Sequence, residues 1–146
     1  MKIYIGADHA GFELKEKIIH YLHTLGHEVE DCGAFELNLD DDYPDFVKPV
    51  ALKVANDPSS RGIVIGKSGQ GEAMCANRFK GVRAAVWYGG SHEPLHLSRE
   101  HNDANILSIG AGIVGEHEVL EGVEVWLNTQ FPGEDRHVRR IAKLDI

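Results

Sequence analysis

Residues 2–6 form a short β-branched and aromatic run, and Phe12, Leu14, Ile18, Ile19, Tyr21, Leu22 and Leu25 then recur at helical spacing until Gly26 stops them. This pattern predicts a strand, a turn and a helix. Residues 27–32 predict a second strand, and residues 46–54, entered through Tyr43-Pro44, a second helix, with the acidic run Asp40, Asp41, Asp42 in the loop between them. Residues 62–65 and 82–87 are apolar strands, and residues 72–77 between them begin a helix. Residues 93–100 read as a helix with Pro94 in its first turn, where a missing N–H leaves no bond unmade. Residues 105–109 predict the last strand and residues 119–127 the last core helix. Strands apolar on both faces and separated by helices predict a three-layer α/β/α Rossmann-like sandwich around a mainly parallel five-stranded sheet. Beyond Pro132, residues 133–146 carry three arginines and predict a C-terminal helical arm that packs on a second subunit.

Composition narrows the picture. The 146 residues fit one domain, residues 1–146, and apolar and charged fractions of 42% and 26% are those of a chain that folds throughout. A formal net charge of -8 argues against a nucleic-acid or anionic-membrane partner, the arginines of the arm being a local exception. Cys32 and Cys75 form no CxxC pair, so neither a disulfide framework nor a thiolate zinc site is expected, and a reducing, cytoplasmic setting is. The apolar start of MKIYIGADHAG meets an aspartate at once and reads as neither a signal-peptide core nor a membrane span. The nine histidines are dispersed with no HExxH spacing, so no metal is expected.

In such sheets ligands bind beyond the carboxyl ends of the strands. Asp8 and His9 follow the first strand, residues 66–72 follow the third, and His101 and Asn102 precede the fifth; they are expected to converge on one cleft. Gly66-Lys67-Ser68-Gly69-Gln70-Gly71-Glu72 leaves an apolar strand and opens a helix, which gathers backbone N–H groups around a pocket suited to an anion. A Walker loop is excluded by the spacing of Gly62 and Gly66, and a dinucleotide fingerprint by the first turn, Gly6-Ala7-Asp8-His9-Ala10-Gly11. The anion is either a phosphate or an enediolate oxygen held as in an oxyanion hole. Glu72 is then either a base that shuttles a proton between neighbouring carbons or an acidic first-turn residue that complements the helix dipole.

Five motifs bear on that choice: Gly6-Ala7-Asp8-His9-Ala10-Gly11, Asp41-Asp42-Tyr43-Pro44, the 66–72 loop followed by Ala76-Asn77, Arg99-Glu100-His101-Asn102-Asp103-Ala104-Asn105, and Arg136-His137-Val138-Arg139-Arg140. In this order the chain resembles the B-type ribose-5-phosphate isomerase family, which includes galactose-6-phosphate and allose-6-phosphate isomerases. The resemblance implies isomerisation of ribose 5-phosphate and ribulose 5-phosphate without metal or cofactor. It also implies a homodimer or dimer of dimers whose active sites draw on two subunits. It makes Glu72 the base, because Gly66 stands where another branch of the family has a cysteine base. It gives His101 a part in ring opening, with Asp8 near the ring oxygens and Asn102 on a hydroxyl. His9, Arg136 and Arg140, with His137 close by, correspond to phosphate contacts. Tyr43 and Asp42 border the substrate, and the backbone of Ser68, Gly69 and Gly71 corresponds to the enediolate hole. Cys75 lies past the base position and reads as a small buried side chain.

Two positions depart from that pattern. Ala111-Gly112-Ile113 stands where an arginine usually joins the phosphate site, and Lys67 stands where the glutamate branch has glycine. Either Lys67 compensates or the substrate differs, which leaves an isomerase of a hexose 6-phosphate (allose or galactose type) or of another, unphosphorylated sugar, a non-catalytic sugar-phosphate-binding subunit and one half of a hetero-oligomer as alternatives. His20, His23, His27, His92, His96 and His117 receive no role; Trp87, Tyr88 and Trp126 read as core, and Asp40 and Asp41 as solvated loop residues.

Overall fold

The computed structural model describes residues 1–146. In chain order the elements are β1 (Lys2–Ala7), α1 (Phe12–Thr24), β2 (Glu28–Asp31), α2 (Pro44–Asn56), β3 (Arg61–Gly66), α3 (Gln70–Ala76), β4 (Ala84–Trp87), α4 (Glu93–Asn102), β5 (Ile106–Gly110), α5 (Glu116–Asn128) and α6 (Asp135–Ile141). The sheet runs β2-β1-β3-β5-β4, and all four pairings are parallel, so the expected sandwich is present with a wholly rather than mainly parallel sheet.

Side chains alternate faces along a strand, and that alternation builds two apolar layers. Ile63 and Ile65 join Ile3, Ile5, Leu107 and Ile109 on one face, covered by Ile18 and Leu22 of α1 and by Val119, Val123 and Trp126 of α5. Val64 and Ile106 face the other way, against Val47, Val50, Ala51 and Val54 of α2 and Ala76 of α3. Full burial of each such side chain contributes about 1.5–3 kcal/mol, which is why the central strands are apolar on both faces. Two glycines let α2 approach the sheet closely: a Cβ at Gly6 would lie 2.6 Å from the Phe46 carbonyl, and one at Gly62 2.9 Å from Val50.

The edges differ from the centre. β2 reads Glu-Val-Glu-Asp and takes its place through ion pairs, Lys2 with Glu28 at 2.6 Å and Lys53 with Glu30 at 2.8 Å. β4 is shorter than its apolar pattern predicts, because Val82 N–H closes a turn onto the Phe79 carbonyl instead of entering the sheet. Trp87 and Trp126 are core as expected, but Tyr88 is exposed and accepts a hydrogen bond from Gln70 Nε2 at 3.2 Å. The arm packs through α6 onto α4 of the same chain, with His137 buried between them. No helix is long and apolar enough to cross a membrane.

Candidate active site

The loop after β3 is held in place by β5. Ser108, the one polar side chain of that strand, donates from Oγ to the Gly69 carbonyl at 2.6 Å in a buried bond. A Cβ at Gly110 would lie 2.8 Å from the Ser68 carbonyl, so only glycine permits the loop to sit so close to the strand end. Gly69 itself has φ +78°, a left-handed conformation that glycine adopts without strain. In this arrangement the N–H groups of Ser68 and Gly69 donate to no backbone carbonyl, and they remain available to an anion.

Glu72, in the first turn of α3, is only 5% exposed, and its carboxylate folds back onto Gly66. A Cβ at Gly66 would fall inside that carboxylate. A side chain at the end of β3 and a glutamate at position 72 therefore compete for one space, a physical reason for glycine there. Burial raises the pKa of Glu72 above the usual carboxylate value; the charge of Asp8 adds to the rise and a backbone N–H opposes it. Asp8 is 7% exposed and accepts from the Ala10 N–H at 3.0 Å. Tyr43, just ahead of α2, lies against Gly71, where a Cβ would meet its ring and hydroxyl at 2.8 Å. Asp8, Ser68, Gly69, Gly71, Glu72 and Tyr43 thus gather beyond the carboxyl ends of β1 and β3, as expected.

His9 lies beside them in a pair that sequence reasoning missed. Its Nδ1 hydrogen-bonds Asp41 Oδ1 at 2.6 Å, and its backbone N–H donates to the same oxygen at 3.1 Å. This bond, the largest influence, raises the His9 pKa; desolvation opposes it, and the charges of Asp8, Asp41 and Asp40 add to it. Asp41 is therefore not the solvated residue expected; the signals for it were its place in the acidic run and in the Asp41-Asp42-Tyr43-Pro44 motif. Ser108 was legible as the lone hydroxyl in an apolar strand. Asp8, His9 and Asp41 place potential ligand atoms within 4.8 Å of one another, two of these residues being joined by the His9–Asp41 hydrogen bond.

The remaining expected residues lie elsewhere. α4 runs back against the direction of the strands, so His101 and Asn102 in its last turn stand at the amino end of β5; Arg83 Nε donates there to the Asn102 carbonyl at 3.0 Å. The ring of His101 stacks on that of His137 with centroids 4.4 Å apart and planes at 15°. Burial lowers the pKa of His137, and the charges of His101, Arg136 and Arg140 add to the effect while that of Glu134 opposes it. Arg136 donates to Glu134 at 2.8 Å, and Arg140 is exposed with no ion pair. A strand the length of β5 spans about 13 Å at 3.3 Å per residue. The single cleft expected from sequence is therefore two clusters in one chain, at opposite ends of the sheet. The reason is the antiparallel course of α4.

The two departures from the family pattern touch. The Lys67 side chain runs along Gly112, where a Cβ would meet Lys67 Cγ at 2.9 Å, and Gly112 N–H donates to the Lys67 carbonyl at 2.9 Å. Lys67 is exposed, at the rim of the loop.

Known proteins share this chain's sequence pattern and fold. The family model described as Ribose/Galactose Isomerase matches residues 3–144. Ribose-5-phosphate isomerase B of Mycolicibacterium paratuberculosis is 45% identical over 141 residues, 97% of this chain and 87% of that protein. Its Escherichia coli counterpart is 40% identical over 145 residues, 98% of this chain and 93% of that protein. Among solved structures, the Mycoplasma genitalium enzyme with bound ribulose 5-phosphate superposes with a TM-score of 0.92 at 38% identity, covering 98% of this chain and 93% of that one. The Clostridium thermocellum enzyme does so with 0.92 at 44% identity, covering 99% and 95%.

Proposed function

This chain belongs to the ribose/galactose isomerase family, and we propose that it is an aldose–ketose isomerase interconverting ribose 5-phosphate and ribulose 5-phosphate. The observation that carries the reading is the buried Glu72 carboxylate, folded onto Gly66, at the end of the loop that carries the unpaired amides of Ser68 and Gly69. A carboxylate held above its usual pKa is a stronger base for a carbon acid, and free N–H groups stabilise the oxygen that becomes negative as the proton leaves. A protein that only binds sugar phosphates gains nothing from burying Glu72 in this way.

In the proposed reaction His101 assists opening of the furanose ring, with Asp8 near the ring oxygens and Asn102 on a hydroxyl. Glu72 then takes the proton from C2, the amides of Ser68, Gly69 and Gly71 hold the enediolate oxygen, the O2 hydroxyl proton passes to O1, and the protonated glutamate returns the carbon proton to C1. Tyr43 closes over the loop, with Asp42 at the same border. His9, Arg136 and Arg140 hold the phosphate, with His137 fixing the ring of His101 by stacking. A proton moved between adjacent carbons needs no redox cofactor.

Glu72 and His101 stand at opposite ends of one sheet, which supports a homodimer or dimer of dimers in which each site takes His101, Asn102 and the arm arginines from a second copy. Lys67 over Gly112 supports the pentose reading, since it returns one cation to the place where the family pattern has an arginine. A cytoplasmic setting belongs to the same proposal.

The test is formation of ribulose 5-phosphate from ribose 5-phosphate in buffer containing EDTA, with Glu72→Gln in parallel. Turnover by the wild type and its loss in the variant is the expected result. Turnover of six-carbon but not five-carbon phosphates would overturn the substrate, and near-normal turnover by Glu72→Gln would overturn the base.

A further inference from the structure

We infer that Asp41 is a positioning residue for the substrate phosphate: by accepting from both the ring and the backbone of His9 it fixes His9 as a cationic donor through Nε2. The inference rests on the isomerase reading, in which His9 meets the phosphate, and adds a residue and a pH dependence to it.

Asp41 lies in a loop where water is close at hand, yet its side chain is only 7% exposed. One oxygen takes both His9 bonds, at 2.6 and 3.1 Å, and the other, Oδ2, is buried with no partner. Burying a carboxylate with one oxygen unsatisfied is unfavourable, and such groups persist where their charge is used. The use on hand is His9. With Nδ1 committed to Asp41, Nε2 is the ring nitrogen left to donate, and the His9 side chain is 33% exposed. The double contact also ties ring and main chain to one oxygen, so the donor stays in register with the turn that carries Asp8.

The charges facing the ring are all negative: Asp41 in contact, Asp8 at 4.0 Å from Nδ1, and Asp40 farther off. No lysine or arginine pairs with either Asp41 or His9. An unperturbed histidine, with a pKa of about 6.5, is mostly neutral above neutral pH and donates only weakly to a phosphate dianion. The raised pKa of His9 keeps the imidazolium, and with it the phosphate contact, to higher pH. Removing the Asp41 charge moves the loss of that contact down toward the ordinary histidine range.

Asp41→Asn keeps the shape and removes the charge. At about pH 8 its KM for ribose 5-phosphate is expected to rise about tenfold, the loss expected for one charge-assisted hydrogen bond, while kcat stays within about threefold. The KM difference should shrink as pH falls and His9 becomes charged in both proteins, and Asp41→Glu should recover part of it. In His9→Asn, adding Asp41→Asn should change KM no further. Imidazole titration by nitrogen-15 NMR, with His9 identified by its absence in His9→Asn and inorganic phosphate as the probe, should show a lower His9 pKa and weaker phosphate binding in Asp41→Asn. An unchanged His9 titration, or an Asp41→Asn defect that persists in full in the His9→Asn background, would overturn the inference. Absence of turnover by the wild type would instead overturn the isomerase reading, and the NMR titration would still decide the role of Asp41.

Discussion

The cluster around Glu72 and the cluster around His101 are built by different means. The first is made of backbone and burial: glycines at 66, 69, 71 and 110, a carbonyl anchored by Ser108, and carboxylates of Asp8 and Glu72 almost closed off from water. The second is made of side chains from the end of α4 and from the short α6, with Arg136 and Arg140 open to solvent and the His101 ring stacked on that of His137. The base and the anion hole need exact placement and low dielectric, and the core of the sheet supplies both. The phosphate contacts proposed for the arm need charge and reach, which a surface helix supplies better. In the proposed reaction neither cluster is a complete site alone, and the two differ enough to be broken separately.

The largest effect is expected at the buried cluster. Glu72→Gln should lower kcat by about 10²- to 10⁴-fold, the range for loss of a general base, with KM little changed. Its stability should move the other way. Glu72 has a raised folded pKa, so its neutral form is favoured by folding; that contribution is present below the unfolded pKa of about 4.3 and is lost as pH rises through the folded value. At neutral pH the charged carboxylate therefore destabilises the fold, and the glutamine variant should melt no lower than the wild type. A clearly lower Tm would mean that Glu72 is a structural residue and would remove the strongest contrast between the clusters.

Glu72 and His9 are expected to set the pH profile. As a base Glu72 must be ionised, so kcat/KM should fall on the acid side at a pH above the ordinary carboxylate value. The alkaline fall should track His9, above the ordinary value of about 6.5. An acid limb at the unperturbed carboxylate position, measured from kcat/KM against pH, would contradict the burial of the base.

Sharing between subunits offers a sharper test. Mixing inactive Glu72→Gln with inactive His101→Ala under conditions that exchange subunits should restore up to about a quarter of wild-type activity, because half the random pairs are mixed and each mixed dimer has one intact site. No recovery, with exchange verified by mass, would mean that the clusters do not meet across an interface.

The loop of the buried cluster was more legible in the sequence than the side-chain pair beside it, for a physical reason. An apolar strand, a glycine loop and a helix start are contiguous along the chain, and their contacts follow from local geometry. Asp41 and His9 are 32 residues apart, and nothing in a run of three aspartates says which of them turns inward. The split of the site was legible in principle, since His101 and Asn102 precede a strand while Asp8 and the 66–72 loop follow one. Motif order alone hides that difference, because it does not record which end of a parallel strand a residue occupies.

The smallest effect is expected at Lys67, where the two clusters' logics meet. Its backbone belongs to the preorganised loop, with its carbonyl bonded to Gly112, but its ammonium group is exposed like the arginines of the arm. If the side chain supplies a phosphate cation in place of the family's arginine, Lys67→Ala should raise KM for ribose 5-phosphate about three- to tenfold, with kcat held within about twofold. The defect should shrink at high salt, as an exposed charge contact is screened. The reciprocal exchange, Lys67→Gly with Gly112→Arg, should recover the lost affinity, because the space above position 112 is filled by the Lys67 chain in the wild type and emptied in the variant. Recovery would make the cation, rather than its origin on either loop, the requirement at this rim. A KM that Lys67→Ala leaves unchanged would assign phosphate binding to His9 and the arm arginines alone, and would place the need for a cation beside Asp41 and on the arm rather than at this rim.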